Sequence, residues 1–178
     1  MSGPPPISRW VAVTFLVIAL LFQMTLLPGM GPSGTRADLL LVVLLCLAMF
    51  NGMNAEILVF AVLAGLMVDF ATGYFIGLNV LVYLGAMVVA DRIVRSLTRA
   101  TAMVLIPMAV GLDFASELVR ASSAIVFGMS TGPPSVVLLV CAVSSLYTGA
   151  TTALLYFLMS HYISAQETLW GWERGARR

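Results

Sequence analysis

Asp113, Glu117 and Arg120 stand four and three residues apart in a stretch that is otherwise almost wholly apolar. On a helix turning about 100° per residue they fall within about 60° of one another, so they form one intramembrane polar stripe in which Arg120 can pair with Glu117. Asp38 and Asp69 stand at the edges of two further apolar runs. Ionisable groups inside a bilayer are costly and face a bundle interior, a cavity or an interface. A stripe of this kind either conducts protons or cations, or pairs internally and holds helices together near the aqueous boundary. Internal pairing is the preferred reading, because the carboxylates lie towards one end of their helices and no second basic group stands at mid-membrane.

Other chemistry has little to build on. There is no phosphate-binding glycine loop, no nucleophile elbow, no His-Glu-x-x-His and no carboxylate pair beside a histidine, so no catalytic residue is expected and the chain reads as a non-enzyme. Cys46 and Cys141 both fall inside apolar runs, where a thiol behaves as a small hydrophobe. His161 is the only histidine and ends the last apolar run, which makes no metal site. No cofactor and no nucleic-acid partner are expected.

The elements that must position the stripe are helices in lipid. Of the 178 residues, 61% are hydrophobic and 10% charged, with a mean hydropathy of +1.03, whereas soluble domains are about one quarter charged. Six apolar stretches can be marked, at about residues 10–27, 38–50, 55–70, 77–91, 102–122 and 135–161. A span needs about 20 residues, so these predict an all-α membrane protein of about six transmembrane helices that occupies 1–178 as a single integral membrane domain. None shows the period-2 alternation of a barrel strand. The first stretch follows Arg9 and Trp10, lacks a small-x-small cleavage site near Pro28 to Pro32, and is read as an uncleaved first helix. Asn51-Gly52-Met53-Asn54 predicts a tight helical hairpin, and Glu56 just after it sits at the positive end of the third helix.

Arginine placement orients the bundle, since positively charged short loops stay in the cytoplasm. With six spans and both termini inside, Arg9, Arg92, Arg95, Arg99, Arg174, Arg177 and Arg178 are cytoplasmic, while only Arg36 and Arg120 lie towards the outside. The acids Asp38, Asp69, Asp113 and Glu117 then gather towards the outer leaflet. The end of the last helix, from Gln166 to Arg174, mixes indoles with charge and reads as an interfacial anchor that contacts membrane lipids. Ala61, Gly65 and Asp69 on the third helix, and Cys141, Ser145, Gly149 and Ala153 on the sixth, recur at every fourth position and mark close helix contacts.

Residues 37 to 92 resemble the rod shape-determining protein MreD family of bacteria. The likeness is carried by Ala37-Asp38-Leu39-Leu40-Leu41, by the short loop at Gly52, and by Gly65-Leu66-Met67-Val68-Asp69-Phe70-Ala71-Thr72-Gly73 running on to Gly77-Leu78-Asn79. Ala37 departs from the proline usual before that aspartate, and residues 100 to 178 match in character rather than in motif. The resemblance implies a multi-pass protein of the bacterial inner membrane, a scaffold of the elongation machinery. It would bind an MreC-like single-span protein and, through it, the MreB filament, the RodA glycan polymerase and a penicillin-binding transpeptidase. Asp38, Gly65, Asp69, Gly73, Gly77 and Asn79 are the candidate partner-binding or structural residues. The family also looks like the six-helix substrate-binding subunits of energy-coupling-factor vitamin transporters, so a small-molecule-binding transport subunit is the alternative. Those subunits carry an Ala-x-x-x-Ala stripe on the first helix; here Ala12 is followed by Leu16 and Ala19 by Gln23, which disfavours transport.

Overall fold

The computed structural model describes residues 9–25, 37–72, 75–96, 102–128 and 133–175, except the side chains of residues 96, 102 and 162–175. Gly73 of the candidate set, and with it Arg36, Arg99, Arg177 and Arg178, lies outside the described residues. The described chain is all-helical: α1 (Arg9–Thr25), α2 (Leu39–Asn51), α3 (Ala55–Thr72), α4 (Leu78–Ser96), α5 (Ala102–Val126) and α6 (Pro134–Gly175).

The organising element is α2. Its residues Leu40 to Leu47 are all buried, with no polar face, and a helix that is apolar all round belongs in the middle of a bundle. The other five helices all touch it. Around it, α3 packs most closely with α4 and α5 with α6. The expected hairpin between α2 and α3 is present. Gly52 has φ +70°, a left-handed conformation costly for any residue with a Cβ. The Asn54 carbonyl then accepts from the Ile57 and Leu58 amides at 3.0 and 3.3 Å and opens α3. Arg9 reaches Glu56 at 2.5 Å, which brings the start of α1 to this end; both side chains are largely solvent-exposed, so the pair contributes little to stability. On α4, Arg95 donates from its Nε to the Asp91 carboxylate one turn earlier at 2.8 Å, which raises the Arg95 pKa.

The small residues on α3 face inward. A Cβ at Gly65 would lie 2.5 Å from the Val80 Cα and 2.6 Å from its nitrogen, so α3 and α4 meet backbone to backbone there. On α6 the buried positions include Cys141, Ser144, Ser145, Thr148, Gly149 and Thr152, whereas Ala153 is exposed. A strict every-fourth stripe rotates by about 40° per step, so three steps carry its last member off the face; Cys141, Ser145 and Gly149 stay on the contact face, which continues through Thr148 and Thr152.

Outward-facing side chains are strongly apolar, among them Phe70, Ile76, Leu81, Leu139, Leu154 and Phe157. α3 and the Pro134–His161 part of α6 are long and apolar enough to cross a membrane, and α1 and α2 are shorter apolar helices.

Candidate functional site

At the end of the bundle opposite Arg9, side chains from all six helices form one polar network. It begins with the N-terminus of α2, whose first amides are buried and have no acceptor within the helix. Asp38 caps it: its Oδ1 accepts from the Leu41 amide at 3.1 Å. Gln23 of α1 supplies a second acceptor, its Oε1 taking the Leu40 amide at 3.0 Å, while its Nε2 donates to Asp38 Oδ1 at 3.4 Å. From α4 the Tyr83 hydroxyl donates to the same oxygen at 2.7 Å. From α6 the Thr148 hydroxyl accepts the Asp38 amide at 3.1 Å.

Arg120 closes the network from α5. Its Nη2 donates to Asp38 Oδ2 at 2.7 Å, its Nη1 to Glu117 Oε1 at 2.7 Å, and its Nε to Asn79 Oδ1 at 2.8 Å. The guanidinium carbon also lies 5.9 Å from the centre of the Tyr83 ring, within cation–π range. A planar fork of fixed donors suits this task, because three acceptors on three different helices are held by one rigid group.

α3 joins through Asp69. Its Oδ2 accepts from the Gly77 amide at 2.7 Å, and its Oδ1 accepts from the Asn79 amide at 3.0 Å and the Asn79 side-chain amide at 2.8 Å. The carboxylate therefore caps α4 and sits where the helix dipole favours negative charge. Gly77 at φ +100° makes the turn that aims these amides back at α3. The side-chain amide of Asn79 is spent on Asp69 and its carbonyl on Arg120, so it couples the α3–α4 hairpin to the α2–α5 ion pair. Asp69→Leu should strand the Gly77 and Asn79 amides. The lost cap costs about 0.5–2 kcal/mol, and each buried donor left without an acceptor adds about 1–3 kcal/mol. The expected outcome is a clear drop in the thermal midpoint of the purified protein.

Of the candidates named from sequence, Asp38, Asp69, Asn79, Glu117 and Arg120 are members of this network, with the Gly77 backbone amide. Gly65 is not a member but permits the α3–α4 approach that brings Asp69 to Asn79. The Glu117–Arg120 pair forms as expected. Asp113 lies on the same stripe but outside the pairing: it is fully buried, and neither carboxyl oxygen has a hydrogen-bond partner among the described residues. Sequence reasoning missed Gln23, Tyr83 and Thr148. Each carried a weak signal: Gln23 is the only amide in the first apolar run, Tyr83 is one turn from Asn79, and Thr148 lies between Ser145 and Thr152 on the small-residue face of α6.

The chemistry this arrangement performs is cohesive. Both oxygens of Asp38 and of Asp69, and all three nitrogens of Arg120, are engaged inside the chain. No protein-family model, curated protein sequence or solved structure matches the chain.

Proposed function

We propose that the chain is a six-span scaffold of the bacterial inner membrane, of the rod-complex type its sequence resembles. It holds an MreC-like single-span protein and thereby supports cell-shape control and peptidoglycan synthesis by the MreB filament, the RodA polymerase and the penicillin-binding transpeptidase. The observation that carries this reading is the network that joins all six helices at one end, in which Asp38, Asp69, Gly77 and Asn79, residues that bear the resemblance, are principal members. A scaffold needs a fixed outer shape, and a network anchored on every helix supplies one. The engagement of Asp38 and Asp69 within the chain assigns them to maintaining that shape, and leaves contact with a partner to the apolar surface around them.

The six-span arrangement includes α2 although it is short of a full crossing. The 13 residues of α2 rise only about 20 Å, less than the roughly 30 Å of hydrocarbon. In that arrangement its N-terminus would lie at membrane depth, where bare backbone amides are tolerated only if protein groups satisfy them. Gln23 and Asp38 do so. Reporter fusions at both termini and after Arg95 should register cytoplasm, and fusions near Pro32 and Pro133 the outside; a terminus found outside would sink the arrangement. The functional reading is tested by affinity capture from detergent-solubilised membranes. Asp69→Leu should insert in normal amount yet recover several-fold less single-span partner than the unaltered chain. Equal recovery would detach partner binding from the network.

A further inference from the structure

One buried group is left over from the network. Asp113 is fully inaccessible, and both of its oxygens lack a hydrogen-bond partner among the described residues. Among the described residues Arg120 is the one cation at this end. Its nitrogens are already committed to Asn79, Glu117 and Asp38. Around Asp113, then, three carboxyl groups stand against one guanidinium, which bonds to only two of them. The groups that act on it are Asp38 at the start of α2, Glu117 and Arg120 on its own helix, and Thr148 on α6; Cys141 of α6 lies within its field. Tyr83 of α4 is turned to Asp38 instead. An isolated ionised carboxylate in such surroundings is very costly and sheds its charge if it can. Among the described residues no group of three or more His, Cys, Asp or Glu side chains is placed to hold a metal ion, whereas a proton needs no shell of ligands.

We propose that Asp113 is a proton-binding site of the folded protein, carrying one proton on its carboxyl at the α5–α6 interface. The proton spares the network a further negative charge: Asp38 and Glu117 already share Arg120, and Asp113 enters as a neutral acid beside the Thr148 hydroxyl. The site is enclosed and works as a fixed element rather than a conduit. It stands whether or not the chain holds a single-span partner. Making the medium alkaline withdraws the proton and leaves an unpaired charge in the bundle, so stability should fall as pH rises through the site's titration.

Infrared spectroscopy of the full chain in lipid nanodiscs tests this directly. At neutral pH the unaltered protein should show the C=O stretch of a protonated carboxyl, distinct from the carboxylate stretches. Asp113→Asn should abolish that band, keep the fold, and make the thermal midpoint insensitive to alkali. Thr148→Val should keep the band but move its frequency, so the alkaline difference spectrum of the unaltered chain and this variant decide the matter if Asp113→Asn does not fold. Absence of the band would overturn the proposal. So would a midpoint that rises with sodium chloride but not with choline chloride, since that identifies an ionised carboxylate neutralised by a metal ion.

Discussion

Arg120→Met should destabilise the protein by about 3–5 kcal/mol, the range found when one member of a buried ion pair is removed and the other is left behind. The stranded member is Asp38, whose side chain is 2% exposed. Its Oδ1 keeps the Leu41, Tyr83 and Gln23 donors, but Oδ2 loses the one partner it has among the described residues. Asn79 loses its acceptor role at the same time, so the α3–α4 hairpin is released from α5. Methionine preserves most of the apolar stem and isolates the loss of the fork. Glu117→Gln is the contrasting change: it lies on the rim of the network, is partly exposed, and leaves the Arg120–Asp38 contact in place, so about 1 kcal/mol or less is expected. For a chain of this size each kcal/mol moves the thermal midpoint by about 2–4 °C. The two variants should therefore separate by roughly ten degrees in the same detergent. Similar midpoints would mean that the arginine serves Glu117 rather than Asp38.

Gly65→Ala should be nearly as damaging, although it adds a single methyl group. All three atoms its Cβ would meet within 3 Å are backbone: the Val80 Cα at 2.5 Å, the Val80 nitrogen at 2.6 Å and the Asn79 carbonyl carbon at 2.9 Å. No rotamer change relieves such contacts, so α3 and α4 must move apart. Overpacking typically costs about 1–3 kcal/mol, and this site belongs at the upper limit because the displaced segment carries Asn79. Moving Asn79 strains its bonds to Asp69 and Arg120 together, so the effect of Gly65→Ala should be less than additive with that of Arg120→Met. Two controls separate sterics from helix propensity. At Gly149 the added Cβ meets the Val110 Cγ2, the end of a side chain, so a smaller loss is expected. At Gly85 it meets nothing within 4 Å, and alanine in a helix interior should stabilise by about 0.5–1 kcal/mol. Equal losses at all three glycines would show that the close approach of α3 to α4 is not what Gly65 provides.

Much of the fold is legible in the sequence because burial in this chain follows apolar runs. The run at 38–50 became α2 (Leu39–Asn51), and that at 102–122 lies within α5 (Ala102–Val126). α6 continues to Gly175, well past its apolar run, because helix formation needs no apolarity and the segment after His161 contains no proline. The central position of α2 is implicit in its lack of any polar residue between Leu39 and Phe50. The Glu117–Arg120 pair is legible because it is local. The rest of the network is not, since Arg120 meets Asp38 across 82 residues and Asp38 meets Thr148 across 110. No periodicity on one helix specifies which face of another it will meet. Asp69 reads from the sequence as a partner-binding or structural residue, and what its carboxylate meets in the fold is the N-terminus of the next helix, ten residues on.

Whether the chain is a scaffold is decided most directly by what leaves the membrane with it. Native mass spectrometry of the tagged, unaltered chain, released from membranes in mild detergent, should show the chain bound to one single-span protein in defined stoichiometry, with that protein identified by fragmentation. The chain alone, carrying a stoichiometric vitamin-sized molecule, would contradict the scaffold reading and establish a transport subunit in its place.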